Sequence, residues 1–170
     1  MVTSGQAVRA WQVAADVPDP ELPMVTLADL GILRDVHTDG GAVIVTITPT
    51  YSGCPAIREI SHDVRHQLAQ AGFADVRVRM ELSPPWSSDW ITDAGRRKLA
   101  DAGIAPPNAA VRRSIGSAVP LTLTARVRTV VCPQCGSART EETSAFSATA
   151  CKALYRCLDC REPFEYIKEI

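Results

Sequence analysis

The sequence has little net charge and no long apolar run. Its 170 residues carry a formal net charge of -1, which provides no field that would attract nucleic acid or anionic lipid. The N-terminus has no apolar stretch of signal-peptide length, and no later run approaches the ~20 residues needed to cross a bilayer. These absences predict a cytoplasmic protein with neither a membrane nor a nucleic-acid partner.

Recognisable catalytic motifs are also missing. The sequence has no pair of Glu-x-x-His motifs for a di-iron oxygenase and no Gly-x-Gly-x-x-Gly nucleotide loop. No Ser-His-Asp set is recognisable from motif either. An enzyme would need some such apparatus, so we expect that this protein is not one.

Cysteine is the informative residue type, because four of the six cysteines form two Cys-x-x-Cys pairs. Cys132 and Cys135 make the first pair, Cys157 and Cys160 the second, and 21 positions separate the pairs. A tetrahedral zinc needs four ligands, and each Cys-x-x-Cys turn places two thiolates on one edge. The pattern therefore predicts a structural zinc ribbon over residues 121–170. A redox dithiol or a cluster site is the alternative, but a thioredoxin-like motif would occur singly at a helix start.

Cys151 lies outside the tetrahedral set, and we expect it to be a buried small hydrophobe beside Leu154 and Tyr155. Zinc ribbons also occur in nucleic-acid-binding proteins. From residue 121 onward, however, seven Lys or Arg face six Asp or Glu, a net of only +1, whereas a phosphate-tracking surface would normally show a basic excess.

The rest of the chain predicts an α+β fold, a small two-layer α/β sandwich over residues 1–103, followed by a linker over residues 104–120. Apolar periodicity, turn residues and helix caps predict the elements of this sandwich. In order, they are a helix over 6–15, a short helical turn over 26–31, a hairpin of strands 32–37 and 42–48, a helix opened by Pro55 and closed by Gly72, a strand over 76–80, and a helix capped by Thr92 that ends near Ala102. In the strand over 76–80, Val76, Val78 and Met80 are expected to face the helices. Segments 127–131 and 164–167 are expected to be strands that flank the zinc ligands.

Cys54 immediately precedes Pro55, so we expect it at or beside the cap of the helix that Pro55 begins. A sulfur near the unsatisfied N–H groups of a helix start has a lowered thiol pKa. The alternative is a cysteine buried where strand meets helix, and this observation alone leaves both interpretations open.

Several motifs together resemble the PaaD family, accessory proteins of the bacterial phenylacetyl-CoA epoxidase system. They are Asp19-Pro-Glu-Leu-Pro23, Asp29-Leu-Gly-Ile32, Thr50-Tyr-Ser-Gly-Cys-Pro55, Ser83-Pro-Pro-Trp86 and Cys151-Lys-Ala-Leu-Tyr-Arg-Cys157. The N-terminal part resembles the SufT-like domain of iron-sulfur assembly factors. The resemblance implies that Cys54 is the functional thiolate and that Asp19 or Glu21 lies near it. Those acids would otherwise cap neighbouring backbone.

The resemblance implies a maturation factor that helps install the iron-sulfur cluster or metal centre of the epoxidase, with its iron-sulfur reductase component as the main partner. Cys54 would be a transient ligand of a cluster or of iron, and the zinc ribbon a docking module. One thiolate is too few for a stable cluster, so bridging across a homodimer is attractive. The alternative is a non-catalytic structural subunit of the epoxidase complex.

Overall fold

The computed structural model describes residues 4–108 and 129–169, and the chain divides into two compact units between Ala102 and Gly103. The elements of the first unit are α1 (Ser4–Ala15), β1 (Leu33–Asp39), β2 (Ala42–Ile47), α2 (Ile57–Gln70), β3 (Val76–Met80) and α3 (Asp93–Asp101). Those of the second unit are β4 (Ile104–Ala105), β5 (Thr140–Ser144), β6 (Lys152–Cys157) and β7 (Pro163–Ile167). Among the described residues, no helix combines the length and apolar character that crossing a bilayer requires.

The first unit is built on a three-stranded sheet in the order β1-β2-β3. β2 is antiparallel to β1 and parallel to β3, and all six of its residues are buried. Its run of β-branched residues suits a central strand that is covered on both faces. α1 contacts β1 and β2, and α2 contacts β3 and α1. The predicted α+β fold is thus confirmed.

The β1–β2 hairpin turns on two glycines. Gly40 has φ 56° and Gly41 has φ 91°, so both central residues lie in the left-handed region. This is the backbone of a type I′ turn, whose twist matches that of the flanking strands and which glycine adopts without steric cost. The hairpin prediction is confirmed, although β1 runs two residues further than expected, to Asp39.

Helix α2 begins later than the sequence suggested. Pro55 is not its first residue, because residues 55 and 56 form a turn and the helix starts at Ile57 after Ala56. The Ile57 amide donates to the Cys54 carbonyl at 3.4 Å. This i to i−3 bond is of the 3₁₀ type and precedes the regular i to i−4 bonds of the helix. The apolar periodicity of this helix falls on Ile57, Ile60, Val64 and Leu68; the last three are buried, and Ile57 is half-buried.

The C-terminal end of α2 is where the sequence placed it. Gly72 has φ 92°, its amide donates to the Ala69 carbonyl, and the Phe73 amide donates to the Leu68 carbonyl, both at 3.0 Å. These two bonds form a Schellman motif, which favours glycine at the left-handed position.

Strand β3 is more exposed than predicted. Val76 and Val78 are half-buried as residues facing the helices should be, but Met80 is 52% exposed, so its predicted place against the helices is wrong. Within the described residues, β3 is an edge strand, paired only with β2. The ladder nevertheless continues past it, because the Glu81 amide donates to the Ile47 carbonyl at 2.9 Å.

The segment predicted as a short helical turn ended by glycine, residues 26–31, closes one such turn: the Leu30 amide donates to the Thr26 carbonyl at 3.1 Å, and Gly31 follows with φ 67°. Thr26 and Asp29 bond reciprocally, each side chain accepting from the other's amide at 3.1 Å, which closes the turn as a capping box does. Asp29 also pairs with Lys98 of α3, Nζ to Oδ2 at 2.5 Å. Burial raises the pKa of Asp29, but the bonds from Lys98 and Thr26 outweigh it and hold that pKa below its usual value.

Gly31 is required by a close approach of backbone to backbone. It has φ 67°, and a Cβ built there would lie 2.5 Å from the Trp90 Cβ and 2.7 Å from the Trp90 carbonyl oxygen. Nearby, the Trp86 indole Nε1 donates to the Leu30 carbonyl at 2.9 Å. Leu30 and Gly31 of the Asp29-Leu-Gly31 motif thus contact the segment after β3 and hold it in place.

The second unit is a four-stranded sheet in the order β4-β7-β6-β5. Ile104 and Ala105, expected at the start of the linker, form β4, which pairs parallel to β7. Residues 109–128 lie outside the described residues. They include the rest of the predicted linker, the predicted start of the ribbon at 121 and the first part of the expected strand 127–131. The described part of that strand, residues 129–131, forms no strand. The other expected flank, 164–167, is confirmed by β7.

The core of the second unit is small and lies directly against two cysteines. Its buried members are Ala105, Val130, Cys132, Ala153, Tyr155, Cys157, Phe164 and Tyr166. The Tyr155 ring stacks on Phe164 with centroids 6.0 Å apart and meets Tyr166 edge-on at 5.4 Å. So small a core leaves much of the folding free energy to be supplied by a cross-link between the chain segments.

Candidate functional site

The four predicted zinc ligands converge at one end of the second unit. The Sγ atoms of Cys132 and Cys160 are 3.7 Å apart, those of Cys135 and Cys157 are 3.5 Å apart, and all four lie within 4.8 Å of one another. Zn–S bonds of about 2.3 Å in a tetrahedron place neighbouring sulfurs about 3.8 Å apart. Two sulfur pairs at this separation, in an all-thiolate donor set, fit zinc. Four protein ligands would fill the shell and leave no position for a substrate.

The two Cys-x-x-Cys turns have the same backbone. In the first, the Cys132 amide donates to the Ser137 carbonyl at 2.9 Å, and in the second the Cys157 amide donates to the Glu162 carbonyl at 3.0 Å. The residue after each turn's second cysteine has a positive φ: 74° at Gly136 and 70° at Arg161. The sequence provides glycine for this conformation in one turn only.

The matched positions give a prediction about strain. Gly136→Ala should destabilise the second unit by about 1 kcal/mol, because alanine resists the left-handed conformation, whereas Arg161→Gly should not destabilise it and relieves the same strain. No atom lies within 4 Å of the added Cβ at 136, so the effect is purely conformational. Thermal unfolding of the two variants, monitored through zinc release, measures both. Equal destabilisation by both changes would contradict the shared turn geometry.

Electrostatics within the cluster favour a cation. The Cys160 backbone N–H, helped by that of Asp159, lowers the pKa of Cys157 to about 6 against the opposing effect of burial. A bond from the Glu162 backbone lowers the pKa of Cys160, but burial and the neighbouring thiols raise it to about 12. Four adjacent thiolates would repel one another, and a divalent cation held between them would supply the charge that lets all four ionise.

A polar clasp joins the two cysteine turns. Ser137 donates to Asp159 Oδ2 at 2.5 Å, Arg139 pairs with Asp159 Oδ1 at 2.6 Å, and the Leu158 amide donates to the Arg139 carbonyl at 2.8 Å. Such outer contacts orient metal ligands. No sequence pattern predicted these residues, because nothing local links Ser137 or Arg139 to Asp159 before the two turns are side by side.

Cys54 lies on a short turned loop between β2 and α2. Its amide donates to the Tyr51 carbonyl at 3.2 Å, and the residue is half-buried while Gly53 and Pro55 on either side are exposed. The loop starts from a fixed point, because the buried Thr48 donates its amide to the Ile32 carbonyl at 2.9 Å. The thiol is therefore carried on a hydrogen-bonded turn that follows the central strand.

Asp19 caps backbone within its own loop. It is 6% exposed, and its Oδ1 accepts from the amides of Glu21 and Leu22, both at 2.9 Å. These contacts match the alternative interpretation, in which Asp19 caps neighbouring backbone. The Glu21 residue is exposed. That either acid lies near Cys54 stays a prediction.

A cleft of ≈ 260 Å³ opens beside the Cys54 loop. Its lining residues are Thr48, Pro49, Thr50, Tyr51, Ser52, Leu82, Pro85 and Trp86. One wall is thus the strand end and loop that lead to Cys54, and the other is the segment after β3. In the sequence, the Ser83-Pro-Pro-Trp86 motif shows only that the strand pattern is interrupted there. It does not indicate that these residues face the Cys54 loop.

Cys151 is half-buried, so it is less buried than expected. It precedes β6, and its Sγ lies 3.2 Å from the Thr149 hydroxyl. Leu154, one of its expected neighbours, is itself 37% exposed. Among the described residues, the four-cysteine cluster is the group of three or more side chains with metal-ligand spacing, and Cys151 is not part of it.

Comparison with known proteins identifies the family of this chain. It is 41% identical over 163 residues to an Escherichia coli protein named as one subunit of a "Putative 1,2-phenylacetyl-CoA epoxidase", and the match covers 96% of this chain and 93% of that one. The chain belongs to the PaaD family. Residues 116–168 match the PaaD zinc beta ribbon domain, and residues 10–80 match the iron-sulfur cluster assembly protein family.

The first unit of this PaaD-family chain also has relatives of its own. The Staphylococcus aureus Fe-S protein maturation auxiliary factor SufT is 35% identical over 78 residues, 45% of this chain and 88% of that protein. A Bacillus anthracis crystal structure described as a domain of unknown function, DUF59, has a TM-score of 0.52 and 28% identity, and the match covers 56% of this chain and 92% of that one. The predicted resemblance to the PaaD family and to SufT-like domains is confirmed.

Proposed function

We propose that this PaaD-family protein is a maturation factor for phenylacetyl-CoA epoxidase and assists assembly of its iron-sulfur or metal centres in phenylacetate catabolism. One observation carries the proposal: Cys54, a half-buried thiol on a hydrogen-bonded turn, lies in the segment that matches the iron-sulfur assembly family. The same segment is related to Fe-S protein maturation auxiliary factors. The client is the iron-sulfur reductase component.

The chemistry is ligand exchange without change of redox state. The Cys54 thiol loses its proton to solvent as the sulfur binds iron of the incoming centre, and regains a proton when a client ligand replaces it. A single thiolate does not hold a cluster stably. The remaining ligands must therefore come from a second copy of the chain, as a homodimer, or from the client itself.

The second unit serves as a scaffold in this proposal. Cys132, Cys135, Cys157 and Cys160 bind one structural zinc in a shell with no open position, so the metal site takes no part in transfer. The ribbon docks the protein on the epoxidase. No turnover of phenylacetyl-CoA by this chain is involved, and the protein acts before the epoxidase is active.

The name of the Escherichia coli relative favours a second candidate, a non-catalytic structural subunit of the epoxidase. Expression of the epoxidase components with and without this protein separates the two. Iron and sulfide measured per reductase component should fall several-fold in its absence, while the already matured epoxidase should remain active without it. Full iron and sulfide together with stoichiometric co-purification in the active complex would favour the structural subunit instead.

The loop that contains Asp19 and Glu21 gives a separate prediction. Glu21→Gln preserves shape and removes one charge from an exposed side chain, so the fold and zinc content should stay unchanged. If Glu21 lies in the Cys54 site, cluster delivery to the reductase should fall about two- to tenfold, the size of a single lost charge contact. Asp101→Asn, an exposed acid at the end of α3, is the matched control. Equal delivery by the two variants would remove Glu21 from the site.

A further inference from the structure

The four cysteines of the zinc site are not equally accessible. Cys132 is 1% exposed and Cys157 is 0% exposed, because both belong to the small core of the second unit. Cys135 and Cys160, the second cysteine of each Cys-x-x-Cys turn, reach the protein surface instead. Each turn therefore contributes one inner and one outer cysteine, and a reagent from solvent meets the outer ones first.

The outer thiolates are also the less shielded ones. Gly136 follows Cys135, and no atom lies within 4 Å of a Cβ built at that glycine, so one side of this turn is open. The inner Cys157 sulfur accepts from two backbone N–H groups, those of Asp159 and Cys160, whereas each outer sulfur accepts from one. Such bonds draw negative charge from a thiolate and make it a weaker nucleophile.

The sulfurs in contact belong to different turns. The Cys135 and Cys157 sulfurs are 3.5 Å apart, and those of Cys132 and Cys160 are 3.7 Å apart. Each contact thus joins the outer cysteine of one turn to the inner cysteine of the other. An S–S bond is ~2.05 Å long, so the two sulfurs of a contact need to approach by only about 1.5 Å to form one.

We propose that the zinc site is a peroxide-sensitive modification site, in which an outer thiolate is oxidised and the inner thiolate of the other turn completes a disulfide with it. The outer thiolate attacks one oxygen of hydrogen peroxide, which gives a sulfenic acid and a hydroxide that solvent protonates. The inner thiolate then attacks the sulfenic sulfur and expels a second hydroxide, which is protonated in turn. Two thiolates lose two electrons, and the peroxide is reduced to two water molecules.

The modification opens the metal site. A disulfide removes two of the four thiolate ligands, and the two that remain do not fill a tetrahedral shell, so the zinc is released. Because the core of the second unit is small, the ribbon loses its fold with the metal. A thiol reductant restores both thiolates, which makes the change reversible. The inference does not depend on the proposed function of Cys54.

Tryptic peptides of the full-length, zinc-loaded protein distinguish the possible products. Cleavage after Lys and Arg places the first turn on residues 129–139 and the second on residues 157–161. Cys151 lies on a third peptide, 140–152, and Cys54 on a fourth, 35–58. Hydrogen peroxide should produce a disulfide that joins the first two peptides and should release one zinc for the first disulfide formed.

The competing products are equally visible. Disulfides confined within peptide 129–139 or within peptide 157–161 overturn the proposal, as does retention of zinc while Cys151 and Cys54 are oxidised. Dithiothreitol followed by zinc should restore the original zinc content. Failure of this recovery would show irreversible oxidation and would also contradict the proposal.

Alkylation measures the order of reactivity directly. A limiting amount of N-ethylmaleimide should modify Cys135 and Cys160 at least about tenfold faster than Cys132 and Cys157, measured at low conversion before zinc is lost. Cys151→Ser is the matched control, because it removes a half-buried cysteine outside the cluster and should change neither these rates nor zinc release by peroxide. Equal rates at the four cysteines, or faster reaction at an inner one, would remove the distinction on which the proposal rests.

Discussion

Replacing Cys132 or Cys160 by serine should reduce bound zinc from one per chain to nearly none and unfold the ribbon. A structural zinc of this kind contributes about 10–16 kcal/mol of apparent binding free energy, far more than the small aromatic core around Tyr155 can replace. The loss should extend to β4, because Ile104 and Ala105 are held by pairing with β7. The first unit has its own core and should survive.

Metal analysis and amide hydrogen exchange measure this result. Zinc should be absent, and protection should vanish in β4 to β7 while remaining in β2 and α2. Cys151→Ser is the matched control, because it makes the same substitution at a half-buried cysteine outside the cluster and should keep its zinc. One zinc per chain with an unchanged melting profile in Cys132→Ser or Cys160→Ser would remove the proposed site.

Replacing Cys54 by serine should abolish cluster delivery without disturbing the fold. The change is close to isosteric at a half-buried position on a turn, so zinc content and melting temperature should stay the same. Serine is a far poorer ligand for iron than a thiolate is. Cells that carry this variant should therefore grow poorly on phenylacetate and accumulate reductase with under-filled iron and sulfide, while purified, already matured epoxidase remains active.

The control is again Cys151→Ser, which should support normal growth and normal cluster content. Normal iron and sulfide in the reductase of Cys54→Ser cells would show that the thiol is structural, and the structural-subunit alternative would gain. Reconstitution of the reductase with purified wild-type protein added back should restore the missing iron and sulfide. The two cysteine substitutions together separate loss of metal transfer from loss of folding.

Local features were readable from the sequence because short-range geometry decides them. The Cys-x-x-Cys spacing identified the four residues that form the thiol cluster, since each turn places its two sulfurs on one edge whatever surrounds it. Thr92 was identified as a cap, and it accepts from the Gly95 amide at 2.9 Å. Gly40, Gly41 and Gly72 marked the turns that need left-handed backbone.

Tertiary structure decided what depends on distant neighbours. The pairing of Ile104 with Glu165 made a strand of residues expected in a linker, and the edge position of β3 left Met80 in solvent. Both outcomes depend on strand neighbours that are distant in sequence, so the apolar periodicity of the segment itself does not predict them. The cleft likewise combines residues that are distant in sequence: Thr48–Ser52 line it together with Trp86, whose indole N–H donates to the Leu30 carbonyl 56 positions away.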